Sequence, residues 1–302
     1  MTGPERGYLL LCAELGDGKK PLTLPQIRTL AQRIAACRWA CTDPERDVTM
    51  EDLRKLGYDE DFAGRIAELL DREQALAEYL SVAAELGIRP ITCISPGYPV
   101  RLRRLGARAP AVLFCRGKAE LLTQPAVALV GSRELSAAGR NFARRVGTLA
   151  AQEGYALVSG NARGADQAAQ TACLEAGGTV ISILPDGLQA HEPLSSRMVY
   201  LCEAGWHLPM SACRALERNR LIHALGEKTF VAQSRLAGGT WRGSQENLRR
   251  GWSPLFVHDD GSPGCLALIS GGASPVRTQT LNSLRGLFCG QLSLNPDGTE
   301  GP

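Results

Sequence analysis

Between positions 21 and 86 the apolar residues recur at helical spacing. Ile27, Leu30, Ile34 and Cys37 fall at i, i+3, i+7 and i+10, which places them on one helix face. Thr23, with Gln26 three positions on, has the residue types of a capping box at the start of that helix. Asp52–Leu56 and a longer periodic run from Phe62 to Leu86 continue the pattern, and Gly87 stands where a helix C-cap would be. Residues 1–87 are therefore expected to form a small helical N-terminal domain.

At Ile88 the texture changes to short β-rich runs, first Arg89–Ile94 and Pro110–Cys115. Further strands are predicted over Ala126–Val130, Tyr155–Val158, Thr179–Leu184, Thr229–Ala232, Leu255–Val257 and Leu266–Ile269. Helices are predicted between them over Ser136–Gln152, Ala165–Glu175, Arg214–Leu225 and Ser244–Arg250. Such alternation predicts an α/β domain over residues 88–276, with a mostly parallel sheet covered by helices on both faces. The polar tail, 277–302, is expected to be partly disordered.

Composition narrows the class without deciding it. Of the 302 residues, 44% are hydrophobic, and 34 Lys and Arg against 31 Asp and Glu leave a net charge of +3. The ten cysteines are scattered, with no C-x-x-C pair, and most sit in apolar runs, as expected of reduced core thiols. Cys37 and Cys41 lie one helical turn apart, but no second close pair completes a metal site, and no metal or other cofactor is expected. No basic segment leads into an apolar run at the N-terminus, and no stretch approaches the roughly 20 apolar residues that span a bilayer. The expected setting is cytoplasmic, without a membrane partner.

In a doubly wound sheet ligands bind beyond the carboxyl ends of the strands, so the loops there carry the candidate chemistry. After Ala126–Val130 comes Gly131-Ser132-Arg133-Glu134, in which a glycine, a hydroxyl, free amides and a guanidinium suit a phosphate; an ordinary strand-to-helix turn would read the same way. After Leu157-Val158 comes Ser159-Gly160-Asn161-Ala162-Arg163-Gly164-Ala165-Asp166, a second anion cradle, with Asp166 either capping the next helix or orienting Arg163. Loops of this kind on neighbouring strands would face one pocket. Around Arg214–Leu225 a helix with one buried and one cationic side is expected, bearing Arg218, Asn219 and Arg220. Arg235, Arg242, Arg249 and Arg250 keep the second half basic, whereas acidic clusters such as Asp59-Glu60-Asp61 lie in the first hundred residues. This asymmetry suits a polyanion. Gly-x-Ser-x-Gly, Walker, His-Glu-x-x-His and Gly-x-Gly-x-x-Gly signatures are missing, and His191, His207, His223 and His258 read as surface or cap residues.

Five segments in order resemble the DNA-processing protein A (DprA, or Smf) family. They are Ser95–Leu102 with Ala109–Gly117, Val127–Arg133, Ser159–Asp166 (similar to S-G-x-A-x-G-I-D), Glu217–Ile222 (similar to P-x-R-N-R-I-I), and Gly238–Gly251. The resemblance implies an extended Rossmann-like fold that binds single-stranded DNA, forms a homodimer and hands the strand to the RecA recombinase during natural transformation. It implies that Arg133 and Arg163 contact phosphates in a pocket shaped by Gly131, Ser132, Ser159 and Gly160. Arg218, Asn219 and Arg220 would complete the basic rim or brace it from beneath. With few aromatic residues, base preference is expected to be weak.

The chain departs from the family pattern at several places. Gln170 stands where a His is usual, Leu216 or Glu217 where a Pro precedes R-N-R, Gly238 where a Ser is usual, and Pro185-Asp186-Gly187 at a Gly-rich turn. The winged-helix module that many members carry at the C-terminus is not expected. The competing expectation is a nucleotide sensor or phosphoribohydrolase on the same scaffold, in which Asp166 or Glu203 would act beside the ribose.

Overall fold

The computed structural model describes residues 1–37, 47–191, 195–203 and 205–287. Among the described residues five helices come first: α1 (Gly3–Cys12), α2 (Leu24–Ala35), α3 (Met50–Lys55), α4 (Glu60–Leu70) and α5 (Glu73–Glu85). At the start of α2 the Gln26 side chain accepts the Thr23 N–H at 2.9 Å, the return half of the expected capping box. The periodic run Phe62–Leu86 breaks into α4 and α5 at Asp71-Arg72. There the buried Arg72 guanidinium donates to the Leu10 and Ala13 carbonyls, each at 2.7 Å, and pairs with Asp17 at 3.1 Å. One side chain thus ties the α4–α5 corner to the end of α1.

The sheet strands are β1 (Ile88–Thr92), β2 (Val112–Gly117), β3 (Ala126–Val130), β4 (Ala156–Ser159), β5 (Thr179–Ile183), β6 (Met198–Glu203), β7 (Thr229–Val231), β8 (Leu255–His258) and β9 (Ser274–Val276). Their order is β1-β2-β6-β5-β4-β3-β7-β8-β9, with β1 and β2 antiparallel and all pairs from β6 to β9 parallel. The fold is the expected mixed α/β architecture with a mostly parallel sheet. β3 (Ala-Val-Ala-Leu-Val) is buried at every position, because helices cover both faces. Phe114, Phe142, Phe230 and Phe256 are fully buried, and the last two stack at 5.4 Å. Both rims carry a central proline, Pro90 in β1 and Pro275 in β9, and the Thr92 N–H is taken by Ser95 Oγ at 3.0 Å.

The remaining helices are α6 (Ala137–Gln152), α7 (Ala165–Glu175), α8 (Ala212–Glu217), α9 (Asn219–Leu225), α10 (Gly239–Arg250) and α11 (Pro263–Ser270). Leu266–Ile269, expected as a strand, lies inside α11, which buries Cys265 and Leu268 one turn apart and exposes Leu266. A short apolar run does not by itself separate the two periods. Strands β6 and β9 and helix α1 were not foreseen, and the single helix expected over Arg214–Leu225 is two, joined at Arg218. Cys41, Cys289 and the tail beyond residue 287 lie outside the described residues. Every cysteine within them is a free thiol, and no helix among them is long and apolar enough to cross a membrane.

Candidate functional site

Strand β3 has β4 on one side and β7 on the other, so the connections leaving its carboxyl end diverge there. That is the topological switch point of an open α/β sheet, and a cavity of about 780 Å³ opens at it. Three loops build its wall and are bonded to one another. The Ser132 N–H donates to the Gln233 carbonyl at 2.9 Å, and the Ala165 N–H to the Ser132 carbonyl at 3.2 Å. Gln233 Oε1 accepts the Ser136 N–H at 2.9 Å. The loops after β3, β4 and β7 are thereby tied into one wall.

Gly164 carries φ +88°, and a Cβ there would lie 2.5 Å from the carbonyl oxygens of Ser132 and Arg133. Only glycine lets the second loop pass so close to the first. Gly160 is required for a different reason: the Arg218 guanidinium occupies the space its Cβ would fill. Asp166, in the first turn of α7, accepts the Gly160 and Ala162 N–H groups at 3.1 and 3.2 Å. Asp166 thus shapes its own loop, rather than orienting Arg163. Burial pushes its carboxyl up from the ordinary range, opposed first by the charge of Arg218; burial likewise pulls the Arg218 guanidinium down, opposed by Asp166. Arg218 Nη1 also donates to the Ile183 carbonyl at 2.6 Å.

Of the residues singled out in the sequence, Gly131, Ser132, Arg133, Asp166, Arg218 and Asn219 line this cavity. Asn219 Nδ2 donates to the Gly239 carbonyl at 3.2 Å, joining α9 to the start of α10. Ser159 is fully buried beneath the loop, and Arg163 is exposed outside the lining. Arg220 is 7% exposed and faces away, donating to the carbonyls of Arg108 (3.2 Å) and Glu217 (2.5 Å) and pairing with Glu203. The cationic side expected for α9 is therefore internal, neutralised by partners distant in sequence. Arg235 and Arg242 join the lining; Arg235 pairs with Glu134, whereas the Arg133 and Arg242 side chains make no hydrogen bond or ion pair among the described residues. His223 and His258, expected as surface or cap residues, are buried at 1% and 4% exposure. His258 stacks on Phe142 at 4.4 Å, and His223 lines the cavity.

A family model described as DNA recombination-mediator protein A matches residues 89–284. The chain belongs to that family. It is 26% identical over 277 residues to DNA processing protein DprA of Bacillus subtilis, covering 84% of this chain and 91% of that protein. The X-ray structure of DprA from Streptococcus pneumoniae matches with a TM-score of 0.65 at 25% identity, covering 86% of this chain and 97% of that one. A DprA structure from Helicobacter pylori, described for its unique single-stranded DNA binding mode, matches with a TM-score of 0.55 at 25% identity, covering 64% and 92%.

Gln170, at the position where the resemblance has a His, bonds two buried hydroxyls. Its Nε2 donates to Ser159 Oγ at 2.5 Å and Ser182 Oγ at 3.3 Å, joining the ends of β4 and β5 under the second loop. Gly238, in place of the usual Ser, is the N-cap of α10 with φ +91°. The two carboxylates considered for hydrolysis are both engaged. Asp166 holds loop amides, and Glu203 pairs with Arg220 beside a separate cavity of about 290 Å³. No group of three His, Cys, Asp or Glu side chains among the described residues could hold a metal ion.

Proposed function

We propose that this chain binds single-stranded DNA at the switch-point cavity and delivers it to a RecA-type recombinase, acting as a binding protein without a chemical step. One observation carries the reading: the cavity is lined by two arginines, Arg133 and Arg242, whose side chains make no hydrogen bond or ion pair among the described residues. Free guanidiniums at the carboxyl end of a parallel sheet are suited to backbone phosphates, which give affinity without sequence preference. The family's description as a recombination mediator and the DNA-binding mode named for the Helicobacter pylori protein support the same ligand. Gly131, Ser132 and Asn219 would shape the contact surface, while Ser159, Gly160, Gly164, Asp166, Arg218 and Arg220 would hold it in place. Arg163 would contact the strand outside the cavity. Action in natural transformation, in the cytoplasm and as a homodimer, belongs to the same proposal.

The test is binding of a fluorescent oligo-dT across a salt series. Tight binding that weakens steeply with salt and is lost in Arg133→Ala/Arg242→Ala is the expected result. A wild-type protein that does not bind at low salt overturns the reading.

A further inference from the structure

Among the described residues, the contact between α9 and α10 leaves two buried polar atoms without partners, Nδ1 of the cavity-lining His223 and Oγ of Ser244, which lies outside the lining. His223 is 1% exposed and Ser244 is fully buried. The imidazole packs against α10 closely enough that a Cβ on Gly243 would come within 3.2 Å of Nε2. Nearly all buried polar groups in folded proteins are paired, and an unpaired one costs more than a made hydrogen bond returns. His223 Nδ1 is sealed from the cavity, but Nε2 of the same ring also makes no hydrogen bond among the described residues and is not sealed, so an occupant of the cavity can supply its partner.

The rest of the lining indicates what kind of partner. Arg133 and Arg242 offer charge to an anionic part of the ligand, while the exposed apolar side chains of Met210 and Leu216 offer none. Burial holds the His223 ring down to about 3, so it meets a ligand as neutral imidazole, with one N–H donor and one bare acceptor nitrogen. The complement is a molecule with phosphates at one end and a neutral planar group, with hydrogen-bonding edges, at the other.

We propose that His223 is the specificity-determining contact of this cavity, its imidazole hydrogen-bonding to the edge of one nucleobase turned inward from the bound strand. The inference rests on the single-strand reading above and revises one expectation within it: affinity depends on the bases as well as on the backbone. His223 supplies that dependence, and the arginines supply the salt-sensitive remainder.

The experiment compares a dT oligonucleotide with an abasic oligonucleotide of the same length, which keeps every phosphate and removes every base. Wild type is expected to bind the dT strand about tenfold more tightly, the size of one well-made buried hydrogen bond together with the apolar contact around it. His223→Leu is expected to bring the dT affinity down to the abasic value and leave the abasic affinity unchanged, while His223→Asn restores part of the difference. The His223 ring nitrogen resonances of the wild-type protein are expected to shift with the dT strand and not with the abasic one, which decides the matter even if a variant fails to fold. Equal affinity of wild type for both strands, or an undiminished ratio in His223→Leu, overturns the role of His223 and leaves phosphate binding standing. Failure of wild type to bind either strand overturns both readings.

Discussion

Asp166 and Arg218 offset each other's buried charge beneath the cavity, the first at 6% exposure on α7 and the second at 9% where α8 meets α9. The carboxylate also receives two loop amides, and the guanidinium also donates to the Ile183 carbonyl. The arrangement links the shape of the second loop to the position of the α8–α9 junction. Removing one charge strands the other in a medium that solvates it poorly. Asp166→Ala is therefore expected to lower the unfolding free energy by about 3–5 kcal/mol, measured by urea denaturation. A loss below about 1 kcal/mol would show that Arg218 finds water instead.

Gln170 is the second support of the same loop. Gln170→Leu keeps much of the volume but leaves the buried Ser159 and Ser182 hydroxyls without their amide donor. The expected loss is about 1–3 kcal/mol of stability, with weaker oligo-dT binding as the loop loosens. An unchanged denaturation midpoint would mean that the two hydroxyls satisfy each other.

Salt dependence separates the arginines. On a single strand each neutralised phosphate contributes about 0.7 to the slope of log K against log salt. Arg133→Ala and Arg242→Ala are each expected to reduce the slope by about that amount, and Arg163→Ala, outside the lining, by less than half of it. A slope that responds to Arg163 alone would move the strand off the cavity.

His223 predicts a pH dependence of stability whose sign is fixed by burial. Its folded-state value of about 3 lies below the ordinary 6.5, so the unfolded chain takes up a proton that the folded protein refuses. The contribution is fully present above pH 6.5 and is lost progressively as pH falls from there toward 3. Between pH 7 and pH 5 wild type is expected to lose about 2 kcal/mol more than His223→Gln, read from denaturation at each pH. Parallel curves for the two proteins would mean that the ring is protonated in place.

The sequence made the sheet legible because central parallel strands are nearly continuous apolar runs. Ala126–Val130 and Thr179–Ile183 were found for that reason, and with them the loops at their carboxyl ends. Met198–Glu203 is as apolar, but no α-helix is described between it and Thr179–Ile183, so the alternation that exposed the others was missing. The roles of Arg220 and His223 were out of reach for another reason. Arg220 is neutralised by Glu203 and held by the carbonyl of Arg108, and His223 is enclosed by α10; none of these neighbours is encoded in the local pattern. Asp166 was expected to cap the next helix or to orient Arg163, whereas it accepts the loop amides of Gly160 and Ala162, and the charge that offsets its own is that of Arg218, 52 positions away.

The prolines at the two rims of the sheet bear on what happens when many copies of this chain are crowded together. Crowding of that kind favours cross-β growth wherever a bare strand offers an uninterrupted row of amides. Pro90 and Pro275 each break that row at the middle of an outermost strand. Neither outermost strand therefore offers a second copy an unbroken row of amides along which the two sheets could join.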